Sequence, residues 1–230
     1  MSDFNTTLFD FEFQRGRSKE PFGRRRLGVV LHGKGDRLEA FQGIGEELDL
    51  KEFDFLLLNG PMKFGDGFKW MHDEPRHEKS LAIVRDQLLS LLEELKAHGY
   101  ATENILWLGH SQGGRVASDL VMHSPDAFMG IVAVSSYVGF FKGWANQASA
   151  SDAGGAWLTP WLFTHGTLDR IIRPKEIRDD IRELARGRIP LTYREFLKGH
   201  DFDFKKEVPF IRRWILERAA MNRGLKRLSC

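Results

Sequence analysis

Residues 109–114 read Gly-His-Ser-Gln-Gly-Gly, a serine with glycines two residues away on either side. This stretch follows an apolar run at 105–108, which predicts a buried strand, and it leads into a segment over 113–123 that predicts a helix. A sharp strand-to-helix turn holds its central residue, here Ser111, in a strained backbone conformation above the sheet. Positions two residues away on either side come close, so Gly109 and Gly113 supply space that side chains would fill. The alternative is a glycine-rich turn with an incidental serine.

Strands and helices alternate along the chain on both sides of this turn. Apolar runs predict strands at 26–31, 53–58, 105–108, 130–135, 158–164 and 191–197, and period-two alternation of phenylalanines predicts another at 9–13. The intervals predict helices at about 37–48, 77–97, 113–123, 174–186 and 205–221. The sequence therefore predicts an α/β fold, with a mostly parallel central sheet and helices on both faces.

Composition limits the class of protein. The chain has 230 residues, of which 42% are hydrophobic and 29% charged, so we expect one globular domain over 1–230 and no nucleic-acid partner at a net charge of +2. The single cysteine, Cys230, allows no intrachain disulfide, and we therefore expect a reducing compartment, the cytoplasm. The longest apolar runs are far shorter than the roughly 20 residues that span a bilayer, so no stable membrane insertion is expected.

A serine hydroxyl is a poor nucleophile at neutral pH and needs a neighbouring base. His200 directly follows the last predicted strand, and in a parallel sheet the residues beyond the carboxyl ends of strands share the edge where Ser111 lies. His200 is therefore the predicted general base, and a capping role at the last helix is the alternative. His32 and His165 also follow strands, but each precedes a glycine and is interpreted as a turn residue.

The third member of such a triad orients the imidazole and stabilises its cation. Asp169 follows the strand at 158–164, and the chain order Ser, Asp, His is one of the known orders of these triads. Its alternative is a turn or helix-capping aspartate. The competing aspartates are less suitably placed, in an irregular loop, within a helix or directly after His200: Asp152, Asp179, Asp180, Asp201 and Asp203.

An oxyanion hole would complete the site. We expect one donor to be the backbone N–H of Gln112, at the start of the helix after Ser111. The other is expected from the loop His-Gly-Lys-Gly at 32–35, with the backbone N–H of Lys34 as the candidate. Ordinary turn chemistry would equally explain these glycines.

These motifs together resemble the carboxylesterase/phospholipase family of α/β-hydrolases, a group that includes acyl-protein thioesterases and small bacterial carboxylesterases. They occur in the family's order and approximate spacing over about residues 27–218: HGKGD at 32–36, NGP at 59–61, Trp70, GHSQGG at 109–114, His-Gly at 165–166, Asp169 and Gly-His at 199–200. The resemblance implies a compact α/β-hydrolase fold without a large cap domain. It also implies a triad of Ser111, Asp169 and His200 with Lys34 and Gln112 as oxyanion donors.

The sequence departs from the family pattern near the predicted site. His110 stands where many thioesterase members carry phenylalanine, and Lys198 stands among residues that are usually small or methionine-rich. These departures leave the proposed triad intact, but they do not indicate which ester or thioester is the substrate.

Aromatic residues are numerous, with 18 Phe and 6 Trp against 3 Tyr, and many fall in two loops at about 64–71 and 137–157. Both loops follow strands, so we expect them to line an apolar acyl or aryl pocket, whose predicted members are Trp70, Met71, Tyr137, Phe140 and Trp144. The alternative is that these side chains pack onto the core.

The sequence therefore predicts an enzyme that cleaves small carboxylic esters or thioesters through an acyl-enzyme, as a monomer or homodimer, without metal or organic cofactor. Three alternatives remain open: a lysophospholipase, an amide or peptide hydrolase with the same triad, and a non-catalytic binding protein on this fold.

Overall fold

The computed structural model describes residues 4–73, 75–139 and 154–228. Its strands are β1 (Phe11–Gln14), β2 (Leu27–Leu31), β3 (Asp54–Leu58), β4 (Met62–Phe64), β5 (Gly67–Lys69), β6 (Ile105–His110), β7 (Gly130–Val134), β8 (Trp161–Gly166) and β9 (Leu191–Phe196). Its α-helices are α1 (Ile44–Glu47), α2 (His77–His98), α3 (Gln112–His123), α4 (Gly154–Leu158), α5 (Pro174–Arg186) and α6 (Glu207–Leu228). None of the helices in these ranges is both long enough and apolar enough to cross a membrane.

Seven strands form one sheet in the order β1-β3-β2-β6-β7-β8-β9. Strand β1 pairs antiparallel with β3, and the other neighbours pair in parallel. The prediction of a mostly parallel sheet is confirmed. Apart from the small β4–β5 hairpin, the described elements belong to this sheet and its covering helices, so the described residues contain no large cap domain.

Alternating side chains of the strands supply two separate cores, one on each face of the sheet. In β2, Val29 belongs to the core on the face covered by α2, α3 and α5, whereas Val30 belongs to the core on the face covered by α6. Helix α2 buries one stripe with the spacing expected from the sequence: Leu81, Val84, Leu88, Leu91, Leu92 and Leu95. Both faces of the sheet are thus covered, as predicted, and the carboxyl edge of the strands remains available for a site.

Two segments differ in kind from the sequence-based expectation, and the strand predicted at 158–164 begins only at Trp161, because Leu158 ends α4. The helix predicted at 37–48 is divided into a 3-10 turn (Leu38–Phe41) and the short α1, because Gly43 between them has a φ of 85° that an α-helix does not allow. The loop predicted at 59–75 contains the β4–β5 hairpin. These strands have three residues each, too few for a period-two pattern to be visible.

A buried ionic cluster lies at the amino end of the sheet, opposite the carboxyl edge. Asp54 begins β3 and is fully buried. Its carboxylate accepts hydrogen bonds from Arg25 Nε at 2.6 Å, from the Tyr100 hydroxyl at 2.6 Å and from the Gly16 N–H at 2.8 Å. Burial and this carboxylate together raise the pKa of Tyr100. The cluster joins the β1–β2 connection, β3 and the segment after α2.

Candidate active site

Ser111 stands at the turn between β6 and α3, at the carboxyl edge of the sheet. Its φ of 51° and ψ of −117° place it in a conformation that side-chain-bearing residues rarely adopt. A Cβ at Gly109 would overlap the backbone of Gly114, and a Cβ at Gly113 would overlap the carbonyl oxygen of Leu31. The glycines therefore provide the space that the sequence predicted for this turn.

The backbone of Ser111 is fastened to β7 and to the residues that follow it. Its N–H donates to the carbonyl of Val134 at 2.9 Å, and its carbonyl accepts from Ser136 Oγ at 2.8 Å. These two bonds fix the backbone of the strained turn and leave the Ser111 hydroxyl without a hydrogen-bond partner among the described residues.

The structure brings together the predicted general base, His200, and the carboxylate predicted to orient it, Asp169. His200 Nδ1 lies 2.8 Å from Asp169 Oδ2, and the other carboxylate oxygen of Asp169 accepts the N–H groups of Ile171 and Ile172 at 2.9 and 3.0 Å. Burial alone would raise the pKa of Asp169, but the hydrogen bonds from His200 and these two N–H groups outweigh it, and the pKa lies below its usual value. Asp169 is therefore ionised at neutral pH.

A second histidine contacts the same carboxylate. His165 is fully buried, donates from Nε2 to the Ile172 carbonyl at 3.0 Å, and has that nitrogen 3.5 Å from Asp169 Oδ2. Burial lowers the pKa of His165, so its ring is neutral at neutral pH. The interpretation of His165 as a simple turn residue missed this contact, which only the fold reveals.

The ring of His200 lies beside the ring of His110, the residue that precedes Ser111, with 5.0 Å between ring centroids. His200 thus occupies the same edge as Ser111. The two side chains are not hydrogen-bonded to each other, since Ser111 Oγ has no partner in the described ranges. Catalytic hydrogen bonds of this kind are often long or misaligned before substrate binds.

The two predicted oxyanion donors flank Ser111. A Cβ at Gly33 would lie 3.4 Å from Ser111 Cβ, so the loop containing Lys34 passes directly beside the serine. Within the described ranges, the backbone N–H groups of Lys34 and Gln112 make no hydrogen bonds. Two unpaired donors therefore remain beside the hydroxyl, and the lysine side chain turns away to Asp73 at 2.7 Å.

The loop that carries Lys34 is held from below by buried polar groups. His32 donates from Nδ1 to the Gly33 carbonyl at 2.6 Å and accepts the Gly60 N–H at Nε2 at 3.0 Å. Trp70 Nε1 donates to the His32 carbonyl at 2.8 Å. The Gly35 N–H donates to the Phe68 carbonyl in β5 at 2.7 Å, so the β4–β5 hairpin supports this loop.

The prediction that Trp70 and Met71 line a substrate pocket is wrong. Both side chains have 0% exposure and belong to the core cluster on the α2 face. The Gln112 side chain explains their position, because its oxygen accepts the Trp70 N–H at 2.8 Å and its amide donates to the Met71 carbonyl at 3.4 Å. These residues fasten the hairpin segment to the serine turn.

The other predicted pocket residues remain predictions. Tyr137 is half-buried beside the same core, and Phe140 and Trp144 lie outside the described residues. Among the competing aspartates, Asp180 accepts the N–H groups of Val138 and Gly139, and Asp152 also lies outside the described residues. No three His, Cys, Asp or Glu side chains in the described ranges are grouped as a metal site would require.

A buried ion pair near His200 was not predicted. Lys198 Nζ lies 2.9 Å from Glu207 Oε2, and both side chains are almost fully inaccessible, at 6% and 0% exposure. The ammonium also donates to Ser135 Oγ at 2.8 Å and to the Asp201 carbonyl at 2.9 Å. The lysine directly before Gly-His was the sequence signal, but the sequence did not show that its ammonium group is buried between the residue after β7, its own loop and the start of α6.

Comparison with known proteins gives consistent matches. Residues 24–180 match the family model described as phospholipase/carboxylesterase. The chain is 25% identical over 228 residues to a rice protein (Oryza sativa subsp. japonica) named "Probable inactive carboxylesterase", with 90% of this chain and 91% of the rice protein covered.

Solved structures share the fold at lower sequence identity. SOBER1 of Arabidopsis thaliana is 24% identical, with a TM-score of 0.75 over 84% of this chain and 99% of that one. A carboxylesterase of Bacillus cereus is 21% identical, with a TM-score of 0.76 over 92% and 95%. Acyl-protein thioesterase 2 of Zea mays is 17% identical, with a TM-score of 0.74 over 92% and 99%.

Proposed function

Because this chain belongs to the phospholipase/carboxylesterase family, we propose that it is a serine hydrolase that cleaves carboxylic esters or thioesters through an acyl-enzyme. The observation that carries the proposal is the 2.8 Å contact between His200 Nδ1 and Asp169 Oδ2, on the sheet edge that also presents the strained Ser111. An ionised carboxylate on Nδ1 fixes the tautomer in which Nε2 is free to accept a proton.

In the acylation step, His200 Nε2 takes the proton of the Ser111 hydroxyl as the oxygen attacks the substrate carbonyl. The resulting oxyanion accepts the unpaired N–H groups of Lys34 and Gln112, each contributing roughly 3 kcal/mol in the transition state. The imidazolium then gives its proton to the leaving alcohol or thiol, and the acyl group remains on Ser111.

Deacylation repeats the sequence with water. His200 removes a proton from the attacking water, the same two N–H groups hold the second oxyanion, and the proton returns to Ser111 Oγ as the acid product leaves. Asp169 stabilises the imidazolium in both steps. All atoms in this cycle come from the ester, water and the chain's own residues.

Apolar side chains close in the chain to Asp169 and His200 are exposed, which supports an apolar acyl or aryl substrate. Leu168 and Ile171 flank Asp169, and Leu197 and Phe204 flank the His200 segment; their exposures are 59%, 72%, 76% and 57%. A substrate with an apolar acyl chain would cover such side chains and release their hydration water. These exposed side chains, and not the buried Trp70 and Met71, are the proposed apolar contacts of the substrate.

A non-catalytic role is the second candidate, favoured by the printed name of the rice relative. The residues that would have to be lost, Ser111, Asp169 and His200, are all present here, which favours the enzyme.

Hydrolysis of p-nitrophenyl esters from acetate to palmitate, by wild type and by Ser111→Ala, tests the proposal. We expect turnover by wild type across part of the series and a loss of at least about 10³-fold in kcat for Ser111→Ala. Equal rates for the two proteins would contradict the proposed function, and matched anilides would reveal an amide hydrolase.

A further inference from the structure

The segment that carries the proposed base is held in place by two side chains outside the triad. This segment, the base loop, consists of residues 197–203. His110 contacts it from the serine turn, and Lys198 contacts it from within.

His110 Nε2 lies 3.1 Å from the His200 carbonyl oxygen, to which it donates. Its ring packs against the His200 ring and against Phe202, with 5.0 and 5.3 Å between centroids. On its other side, a Cβ at Gly33 would lie 3.0 Å from His110 Nδ1. One imidazole therefore touches both the base loop and the loop with the oxyanion donor, and its own backbone adjoins Ser111.

Lys198 fixes the base loop to the sheet and to α6. Its ammonium group binds Ser135 Oγ beyond β7, the Asp201 carbonyl within the loop and the Glu207 carboxylate at the start of α6, at 2.8, 2.9 and 2.9 Å. A buried ion pair gives little net stability, because removing both charges from water costs about as much as their attraction returns. The role of this ion pair in the site is therefore to hold the base loop in position, and not to add stability.

We propose that His110 and Lys198 are positioning residues for His200, holding the base loop so that the imidazole stays directed at Ser111 through both proton transfers. This inference rests on the proposed function. The Asp169 contact fixes one nitrogen of the ring but leaves the backbone of His200 free to shift. Displacing a reacting group by about 1 Å can cost on the order of 100-fold in rate, so backbone anchors matter.

The first experiment exchanges the His110 ring. His110→Phe keeps a planar ring of similar volume and removes the donor to the His200 carbonyl, whereas the amide of His110→Gln can restore a donor near the Nε2 position. With a short p-nitrophenyl ester, we expect kcat to fall about tenfold in His110→Phe, the effect of one lost hydrogen bond, with KM within twofold of wild type. His110→Gln is expected to recover part of kcat. The matched control, His123→Phe at a half-exposed site on α3, is expected to keep wild-type kinetics.

The second experiment separates positioning from folding. Lys198→Met leaves Glu207 buried without a cation, so both Tm and kcat should fall. The double variant Lys198→Met/Glu207→Met removes both charges and should recover Tm while kcat stays at least tenfold below wild type. Lys96→Met, at an exposed ion pair, is the control.

Two results would overturn the proposal: wild-type kcat in His110→Phe, or recovery of kcat together with Tm in the double variant. Each would assign these side chains a structural role only. Failure of the proposed function itself looks different, because Ser111→Ala would then be as active as wild type, whatever the other variants do.

Discussion

At the residue scale, Asp169 links the two histidines of the candidate site to the backbone of the turn that follows it. Its carboxylate faces His200 and His165 and accepts two backbone N–H groups, and its pKa is held below the usual range. Asp169→Asn removes the charge that stabilises the imidazolium and favours the wrong tautomer of His200. We expect kcat to fall on the order of 10³- to 10⁴-fold, measured with a p-nitrophenyl ester at pH 7.5.

Asp179→Asn is the matched control for this variant, since Asp179 is an exposed residue of α5 paired with Arg182. It should leave kcat unchanged. An Asp169→Asn enzyme that retains more than a tenth of wild-type kcat would remove Asp169 from the proposed triad.

The half-buried ring of His110 is expected to make the free energy of unfolding depend on pH. Burial lowers the pKa of His110 to about 4, against an ordinary value of 6.5, and the hydrogen bond to the His200 carbonyl opposes this only in part. Between about pH 4 and 6.5 the unfolded chain binds a proton on His110 that the folded chain does not. The contribution of neutral His110 to the free energy of unfolding is therefore fully present above about pH 6.5 and is lost as the pH falls toward 4.

His110→Phe removes this titration. We expect the free energy of unfolding, measured with urea, to decrease less steeply between pH 6.5 and 4.5 in the variant than in wild type, by up to roughly 3 kcal/mol over the full range. If the free energy of unfolding of the two proteins changed with pH in parallel, the pKa of His110 would not be lowered in the folded protein.

The three proposed triad residues could be identified from sequence because each follows a strand, and the carboxyl ends of parallel strands share one edge. The contacts of His165 and Lys198 could not be identified in this way. Those of Lys198 depend on the fold, which brings Ser135 and Glu207 to its ammonium group, and those of His165 depend on the turn that folds Asp169 and Ile172 back toward its ring.

At the scale of elements, the β4–β5 hairpin explains why Trp70 and Met71 pack into the core instead of lining a pocket. An aromatic-rich stretch after a strand was expected to line a pocket, but three-residue strands fold it back beneath the loop that carries Lys34. Trp70 then becomes a core residue whose indole N–H supports the His32 carbonyl. A residue that follows a parallel strand can be predicted to lie at the carboxyl edge of the sheet. Whether its side chain points into the core or toward solvent cannot be predicted in this way.

Trp70→Phe tests this structural interpretation. The variant keeps an aromatic ring in the core and removes the donor to His32, so the loop with the oxyanion donor should lose one anchor. We expect kcat to fall up to about tenfold by the same factor for acetyl and octanoyl esters, with KM little changed. A selective rise in KM for the long ester would instead restore Trp70 to the substrate pocket.

At the scale of the whole molecule, the two ends of the sheet have separate tasks. The carboxyl edge carries the candidate site, and the amino end carries the Arg25–Asp54–Tyr100 cluster. The alternation of strands and helices predicted the sheet and both covering layers, because period and length are local properties of the sequence. The cluster was not predicted, since its three members are brought together only by the folded sheet.

Asp54→Asn tests that division of tasks. It leaves the buried Arg25 guanidinium without a countercharge, so we expect a loss of about 3 kcal/mol in the free energy of unfolding. Folded enzyme should keep wild-type kcat, because Asp54 lies at the end of the sheet opposite Ser111. As a control, Glu46→Gln in the exposed pair with Arg17 should cost less than about 1 kcal/mol. Comparable losses in both variants would refute the special importance of the buried cluster.

In the proposed function, Ser111 is a nucleophile activated by His200 and Asp169. The most direct measurement is peptide mapping by mass spectrometry after reaction of the native protein with a fluorophosphonate, which forms a phosphonyl–oxygen bond to an activated serine and releases fluoride. We expect one adduct, located on Ser111, formed at a rate that falls at least about 100-fold in His200→Ala. Ester turnover without an adduct on Ser111, or an adduct on another residue of the native protein, would contradict this proposal.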